Sequence, residues 1–260
     1  MSDENWRLIW VNEAADCYTN MGIDEAILNA VANNEVPSTL RFYRWKPSAV
    51  SIGYFQSMNK EVNIENCQKE GVDYTRRITG GGAVYHDFEG ELTYSLVTKE
   101  SNPKIPRDIV KSYQKICTGI VNGLAKLGVP TEFKPINDIV LQKNGKKISG
   151  NAQTRRKGVV LQHGTILRKV DVEKMFSILI VSDEKIRSKL ISSAKERVSS
   201  LTQVLGVSPS FEEIQKSLTE GFELALNINA IPSKLTNEEL LDAKNIAKTK
   251  FSNKDWLFKR

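Results

Sequence analysis

Twelve consecutive residues hold most of the chemistry this chain has to offer. Arg76-Arg77-Ile78-Thr79-Gly80-Gly81-Gly82-Ala83-Val84-Tyr85-His86-Asp87 combines two arginines, three glycines in a row and one of only two histidines. Runs of glycine cost backbone entropy, so they mark places where side chains must be absent. One such place is a turn whose bare N–H groups form an anion-binding concavity. A neighbouring arginine adds a planar fork matched to carboxylate or phosphate oxygens. The stretch points to an anionic, nucleotide-like ligand. The plainer alternative is a tight turn between strands, which needs glycine but not three of them and not the arginines.

A second group of candidates surrounds a hairpin. Asn137-Asp138-Ile139-Val140-Leu141 leads into Lys143-Asn144-Gly145, and Lys146-Lys147-Ile148-Ser149-Gly150 leads out. Asn-Gly between short apolar runs is a strong hairpin signal. Side chains alternate along the return strand, so Lys146 and Lys147 point to opposite faces and one of them can face a site. The second histidine, His163, follows with Gly164 and Thr165.

These residues need elements to position them. Apolar spacing predicts a helix over Ile23–Val31, with Asp24 and Glu25 in its first turn. Strands are expected over Thr39–Trp45, Ala49–Phe55, Asp73–Arg77 and Leu92–Val97. A short helix over Val62–Glu70 is stopped by Gly71. A long one carries Ile109, Tyr113, Ile116, Ile120, Leu124 and Leu127, opens near Pro106 and closes at Gly128. Asn151–Lys157 reads as a polar, basic loop, and Val159–Leu161 as a strand. After Val170 only helices are expected, over Asp171–Ile180, Asp183–Ser193, Ser210–Leu226 and Thr236–Lys250, two of them opened by capping boxes, Ser210…Glu213 and Thr236…Glu239. The organisation that follows is a single domain over residues 1–260, with a mixed core over about 1–180 and a helical appendage over about 181–260.

Composition bounds the function. The 260 residues are 40% hydrophobic and 26% charged, as in an ordinary soluble protein. No run approaches the ~18 apolar residues of a membrane span. The polar, acidic start Met1–Asn5 is not a secretory signal, and a cytoplasmic location is expected. Cys17, Cys67 and Cys117 are odd in number and lack metal or disulfide spacing. Cys117 lies within the long helix and reads as a small core residue. A net charge of +6 suits an acidic protein or nucleic acid.

Three segments together resemble the lipoate–protein ligase family. The arginine–glycine stretch is similar to its first signature. Asn137-Asp138-Ile139 with Lys147-Ile148-Ser149-Gly150-Asn151-Ala152 resembles the second, and Gln162-His163-Gly164-Thr165 the third. Order and spacing agree over roughly residues 6–256, and the short archaeal type of ligase is the closest in kind. The resemblance implies an α+β fold on a mixed, largely antiparallel sheet, shared with biotin protein ligases and distantly with class II synthetases. It implies ATP-dependent conversion of lipoate to lipoyl-AMP, then transfer of the acyl group to a lysine of a lipoyl-carrier protein.

The resemblance also implies roles. Lys147 is the catalytic residue, a cation between the lipoate carboxylate and the α-phosphate. Arg77 lies over the ligand, while Arg76 is left to structure. Gly81 and Gly82 let the backbone line the acyl-adenylate. Ala83, Val84, Tyr85 and His86 bracket adenine or acyl chain. Asn137 bonds the nucleotide, and His163 and Gly164 line the lipoyl pocket. Thr79, Ser149, Gly150 and Ala152 complete the substrate-binding set. Asp138 is the Mg²⁺ ligand, because Mg²⁺ takes one or two carboxylates plus phosphate oxygens. Expected partners are a lipoyl-carrier protein and a separate accessory ligase subunit, since the accessory domain of long ligases is not seen after the catalytic part. Arg155, Arg156 and Lys157 are candidates to dock an acidic acceptor. Two other readings stay open. Octanoyltransferases of similar length use a cysteine near the Asn137–Asp138 position and no ATP, whereas this chain has Asn-Asp there. A noncatalytic nucleic-acid or effector-binding protein on the same fold would show a DNA-binding signature, and none is visible.

Overall fold

A computed structural model describes residues 4–10, 14–181 and 184–260. The chain begins with strand β1 (Glu4–Trp10), helix α1 (Cys17–Ala32), β2 (Thr39–Tyr43) and β3 (Ala49–Ile52). Short helices α2 (Met58–Glu61) and α3 (Ile64–Lys69) lead to β4 (Asp73–Arg76), β5 (Val84–His86) and β6 (Glu91–Lys99). Helix α4 (Ile109–Lys126) precedes the strands β7 (Thr131–Lys134), β8 (Asp138–Leu141), β9 (Lys147–Arg156) and β10 (Val159–Leu167). The remainder holds α5 (Val172–Ile178), α6 (Glu184–Arg197), α7 (Leu201–Leu205), α8 (Phe211–Leu226), β11 (Ile228–Ser233), α9 (Asn237–Ile246), a π-helical turn Ala247–Phe251 and α10 (Lys254–Leu257).

Eight strands form one sheet in the order β11-β1-β2-β6-β10-β9-β8-β7. Only β11/β1 and β1/β2 run parallel, so the sheet is mixed and largely antiparallel, as expected. A smaller sheet, β4-β3-β5, carries the glycine stretch between its outer strands. Helices α4 and α8 bury one face of the large sheet, with Ile116, Ile120, Leu218 and Phe222 in its core. They touch at Gly221, where a Cβ would lie 2.2 Å from the Gly119 carbonyl oxygen. Helix α1 covers the other face, and α9 packs on α1.

Three expectations are corrected. The chain beyond residue 180 is not purely helical, and it forms part of the core rather than an appendage packed on it. β11 extends the main sheet at the β1 edge, α8 supplies the core, and Glu239 of α9 accepts two bonds from buried Arg7 of β1, at 2.6 and 2.9 Å. Residues 151–156 are strand, not loop. Their polar side chains fit a strand because they find partners there: Gln153 donates to Gln162, and Tyr94 donates to Asn151. The reversal comes only at Lys157 and Gly158, with φ of 53° and 70°, a two-residue hairpin turn. Finally, α1 starts at Cys17, capped by Asp16, so Asp24 lies mid-helix rather than in a first turn.

Candidate active site

Strand β4 ends at Arg76, and the chain turns through Gly80–Gly82 before β5 pairs back onto β3. Gly81 has φ of 100°, a conformation L side chains rarely adopt. A Cβ on Gly53 would lie 2.0 Å from the Gly81 carbonyl oxygen, so the turn rests directly on the backbone after β3. The turn's carbonyls need donors, and Arg77 provides them. Its guanidinium donates to the carbonyls of Ser51, Gly80 and Gly82, each at 2.8 Å, and to the Thr79 and Ser51 hydroxyls at 3.1 and 3.2 Å. Burial lowers its pKa to about 10. Arg77 faces the cavity described below, but its donors hold the turn together and are not free for a ligand.

Two buried relays diverge from Arg77. In the first, the Thr79 hydroxyl accepts from Arg77 and donates to Nε2 of His163 at 2.8 Å. Nδ1 of His163 then donates to Asp24 at 3.2 Å. Asp24 also accepts from Arg41 at 2.7 Å, Ser95 at 2.8 Å and Tyr43 at 3.0 Å. Burial alone raises a carboxyl pKa, but these partners overcome it and Asp24 is held below its ordinary value. Burial depresses His163, which stays neutral, as its acceptor role toward Thr79 requires. In the second relay, the Ser51 hydroxyl bonds Nε2 of His86 at 2.8 Å, and Nδ1 of His86 meets Glu91 at 2.7 Å. His86 also stacks on Trp45, with ring centroids 4.0 Å apart. Both histidines are structural pivots of the turn, with each ring nitrogen engaged.

A cavity of about 320 Å³ opens beside this scaffold. Of the expected site residues, Arg77, Gly81, Gly82, Ala83, Val84, Tyr85, His86, Asn137, Lys147, Gly150, Ala152, His163 and Gly164 line it. Met21, Trp45, Val172, Met175 and Val198 add apolar wall. Thr79 and Ser149 are fully buried behind the lining. Asp138 stands beside it, its carboxylate 2.7 Å from the Lys147 ammonium. Both side chains are partly exposed, at 34% and 40%. Lys147 opens β9 next to a bulge at Ile139/Val140, and a Cβ on Gly150 would lie 2.8 Å from its Nζ. Glycine at 150 therefore leaves the lysine arm room to lie over the strand. Lys146 instead reaches out to the Lys195 carbonyl.

Sequence reading missed Asp24, Ser51, Glu91 and Asn151. Asn151 and Asn137 exchange side-chain-to-carbonyl bonds at 2.6 and 2.9 Å and join β9 to the start of β8. A usable signal existed for Asp24. With Asn20 it forms an i, i+4 polar pair flanked by buried Met21, Ile27 and Leu28, a polar stripe on a core face. The basic trio is largely engaged: Arg155 donates to the Pro106 carbonyl, Arg156 to that of Ile78, and Lys157 to Asn29. All three cysteines are buried. Burial pushes Cys117 up to about 12, Cys67 to about 11 and Cys17 well above its ordinary value. No cysteine lines the cavity. No group of three metal-ligating side chains lies together among the described residues, and no helix there is long and apolar enough to cross a membrane.

A largely antiparallel mixed sheet with helices on both faces, carrying a glycine turn beside a mostly apolar cavity with a lysine on its lining, is the fold expected of a lipoate–protein ligase catalytic domain. The chain belongs to the lipoyl protein ligase A/B catalytic domain family, which matches residues 16–223. It is similar to octanoyltransferase LipM of Brevibacillus brevis, with 37% identity over 99% of this chain and all of that protein. LipM of Bacillus subtilis is 34% identical over the full length of both. Among solved structures it resembles a bi-partite lipoate protein ligase from Thermoplasma acidophilum, described with its E2 lipoyl domain, at 32% identity and a TM-score of 0.88 over 98% of this chain and 96% of that one. Lipoate-protein ligase A bound with ATP gives a TM-score of 0.81 at 29% identity, over 98% of each chain.

Proposed function

We propose that this enzyme carries out ATP-dependent acyl transfer to a protein lysine, activating lipoate or its octanoyl counterpart as the acyl-adenylate and passing it to a lipoyl-carrier protein. The observation that carries this reading is Lys147, a partly exposed ammonium on the cavity lining that is paired with the Asp138 carboxylate. A carboxylic acid and a polyanionic nucleotide repel each other, and a shared cation at their junction offsets that repulsion as charge develops. In the first half-reaction a carboxylate oxygen attacks the α-phosphorus and pyrophosphate leaves. In the second the acceptor amine attacks the acyl carbonyl, loses a proton, and AMP leaves. The apolar wall of Met21, Trp45, Val172 and Met175 suits an eight-carbon chain. Gly80 and Gly82 have nothing within 4 Å of an added Cβ, leaving space for a ligand against the backbone.

Mg²⁺ carried with ATP supplies charge neutralisation at the phosphates. Asp138 would hold it, and with no clustered carboxylates among the described residues the remaining ligands come from phosphate and water. A separate accessory polypeptide for adenylation is part of the proposal, on the likeness to a bi-partite ligase.

A second reading has its own support. The curated relatives LipM are octanoyltransferases over their full length, which favours transfer of an octanoyl group from a carrier protein without ATP. A cysteine mechanism needs an accessible thiolate, and the burial of Cys17, Cys67 and Cys117 speaks against one here. The test is the intact mass of a lipoyl acceptor domain after incubation with lipoate plus Mg-ATP, with preformed lipoyl-AMP, or with octanoyl-carrier protein. Modification from lipoyl-AMP, and from ATP once an accessory protein is added, supports the ligase. Modification from the octanoyl carrier alone replaces it with the transferase.

A further inference from the structure

Arg76, the other arginine of the pair, has a different place from Arg77. Arg76 is fully buried, and no carboxylate among the described residues is its partner. Its charge is held by carbonyls of two segments far apart in sequence. Nη1 donates to the carbonyls of Tyr54 at 2.9 Å and Gln56 at 2.6 Å. Nε and Nη2 donate to those of Trp256 at 2.9 Å and Leu257 at 3.0 Å. The contact is returned, since the Trp256 indole N–H donates to the Arg76 carbonyl at 2.8 Å. Trp256 packs on Tyr54 and Phe251, and Lys259 donates to the Tyr54 hydroxyl at 2.7 Å.

The turn held by this clamp is the one on which the glycine stretch rests. Gly53 abuts the Gly81 carbonyl, the Gly53 N–H is capped by the Gln56 side chain at 2.9 Å, and the Tyr54 N–H donates to the Thr79 carbonyl at 2.8 Å. Displacing residues 53–56 would therefore move the backbone at 79–81. From this geometry we infer that Trp256, acting through Arg76, is a positioning residue for the glycine turn: helix α10 sets the loop that receives the acyl-adenylate without touching the ligand. The kinetic part rests on the function proposed above; the structural part does not.

The test uses the whole chain and three variants. Trp256→Phe keeps an aromatic ring, a smaller one, and removes the N–H. Arg76→Lys keeps the charge and cannot bridge both segments. Phe251→Leu loosens the same corner and leaves the clamp intact. Hydrogen exchange by mass spectrometry is followed on peptides covering residues 77–84 and, as a reference, residues 92–98 of β6. The expected result is faster exchange at 77–84 in the first two variants with β6 unchanged, and no such difference in Phe251→Leu. KM for the acyl substrate should rise about fivefold in Trp256→Phe, the loss of roughly one hydrogen bond, with kcat within about twofold. Unchanged exchange at 77–84 overturns the inference, as does equal acceleration in β6, which would mean a merely structural residue. A wild-type chain that transfers from no donor defeats the proposed function and leaves the exchange result to decide the clamp.

Discussion

The two sides of the cavity are built on opposite principles. On the glycine side, buried side chains engage one another or the backbone: Arg77 meets carbonyls and hydroxyls, His163 meets Thr79 and Asp24, and His86 meets Ser51 and Glu91. On the hairpin side, Lys147 and Asp138 form one partly exposed pair. Buried groups of the first kind lose several kcal/mol when a partner is removed, so they fix shape. An exposed pair is worth at most about 1 kcal/mol, so it can change partners when a charged ligand arrives. The difference teaches that the residues best placed by chemistry to look catalytic, the histidines, hold the site, and it leaves the partly exposed pair as the one that the proposed function puts to work.

Substitution separates the two sides. Lys147→Met should lower kcat/KM for acyl transfer about a thousandfold or more, while its melting temperature stays within about 2 °C of wild type because the removed pair is exposed. Steady-state kinetics beside calorimetry checks both. Asp24→Asn should do the reverse, costing roughly 3–5 kcal/mol in urea unfolding because Arg41 is left buried without its counter-charge. A stable Asp24→Asn chain with no activity would break the comparison.

The pH dependence sharpens it. His163 has a lowered pKa in the fold, so between that value and 6.5 the unfolded chain binds a proton that the native state does not. Its contribution is complete above pH 6.5 and is lost as pH falls, at a slope of at most about 1.4 kcal/mol per pH unit. Asp24, also held low, adds loss in the same direction below its ordinary 3.8. Unfolding free energies measured from pH 7.5 to 5 should decline, and a rise on acidification would contradict a neutral His163. The smallest effect is expected at Lys146, whose exposed ammonium donates to the Lys195 carbonyl. Lys146→Ala should change transfer rate by less than about twofold and stability by less than about 0.5 kcal/mol.

Local rules made the working side legible. Asn144-Gly145 marked the hairpin, alternation put Lys146 and Lys147 on opposite faces and the family resemblance chose Lys147 between them, and capping boxes at Ser210 and Thr236 located α8 and α9. The supporting side was not legible, because its pairings span long stretches of chain. Asp24 meets His163 across 139 residues, and Arg76 meets Trp256 across 180. β11 escaped for another reason. Its sequence Ile228–Ser233 is short and includes Pro232, and its last three residues are exposed at the sheet's edge, so it reads locally as a loop between helices.

The most direct test compares a cysteine-free chain, Cys17→Ala/Cys67→Ala/Cys117→Ala, with Lys147→Met in one assay, the intact mass of a lipoyl acceptor domain given lipoyl-AMP. The account predicts that the cysteine-free chain still modifies the acceptor and that Lys147→Met does not. Loss of transfer in a folded cysteine-free chain, with activity kept by Lys147→Met, would contradict it and return the site to thiol chemistry.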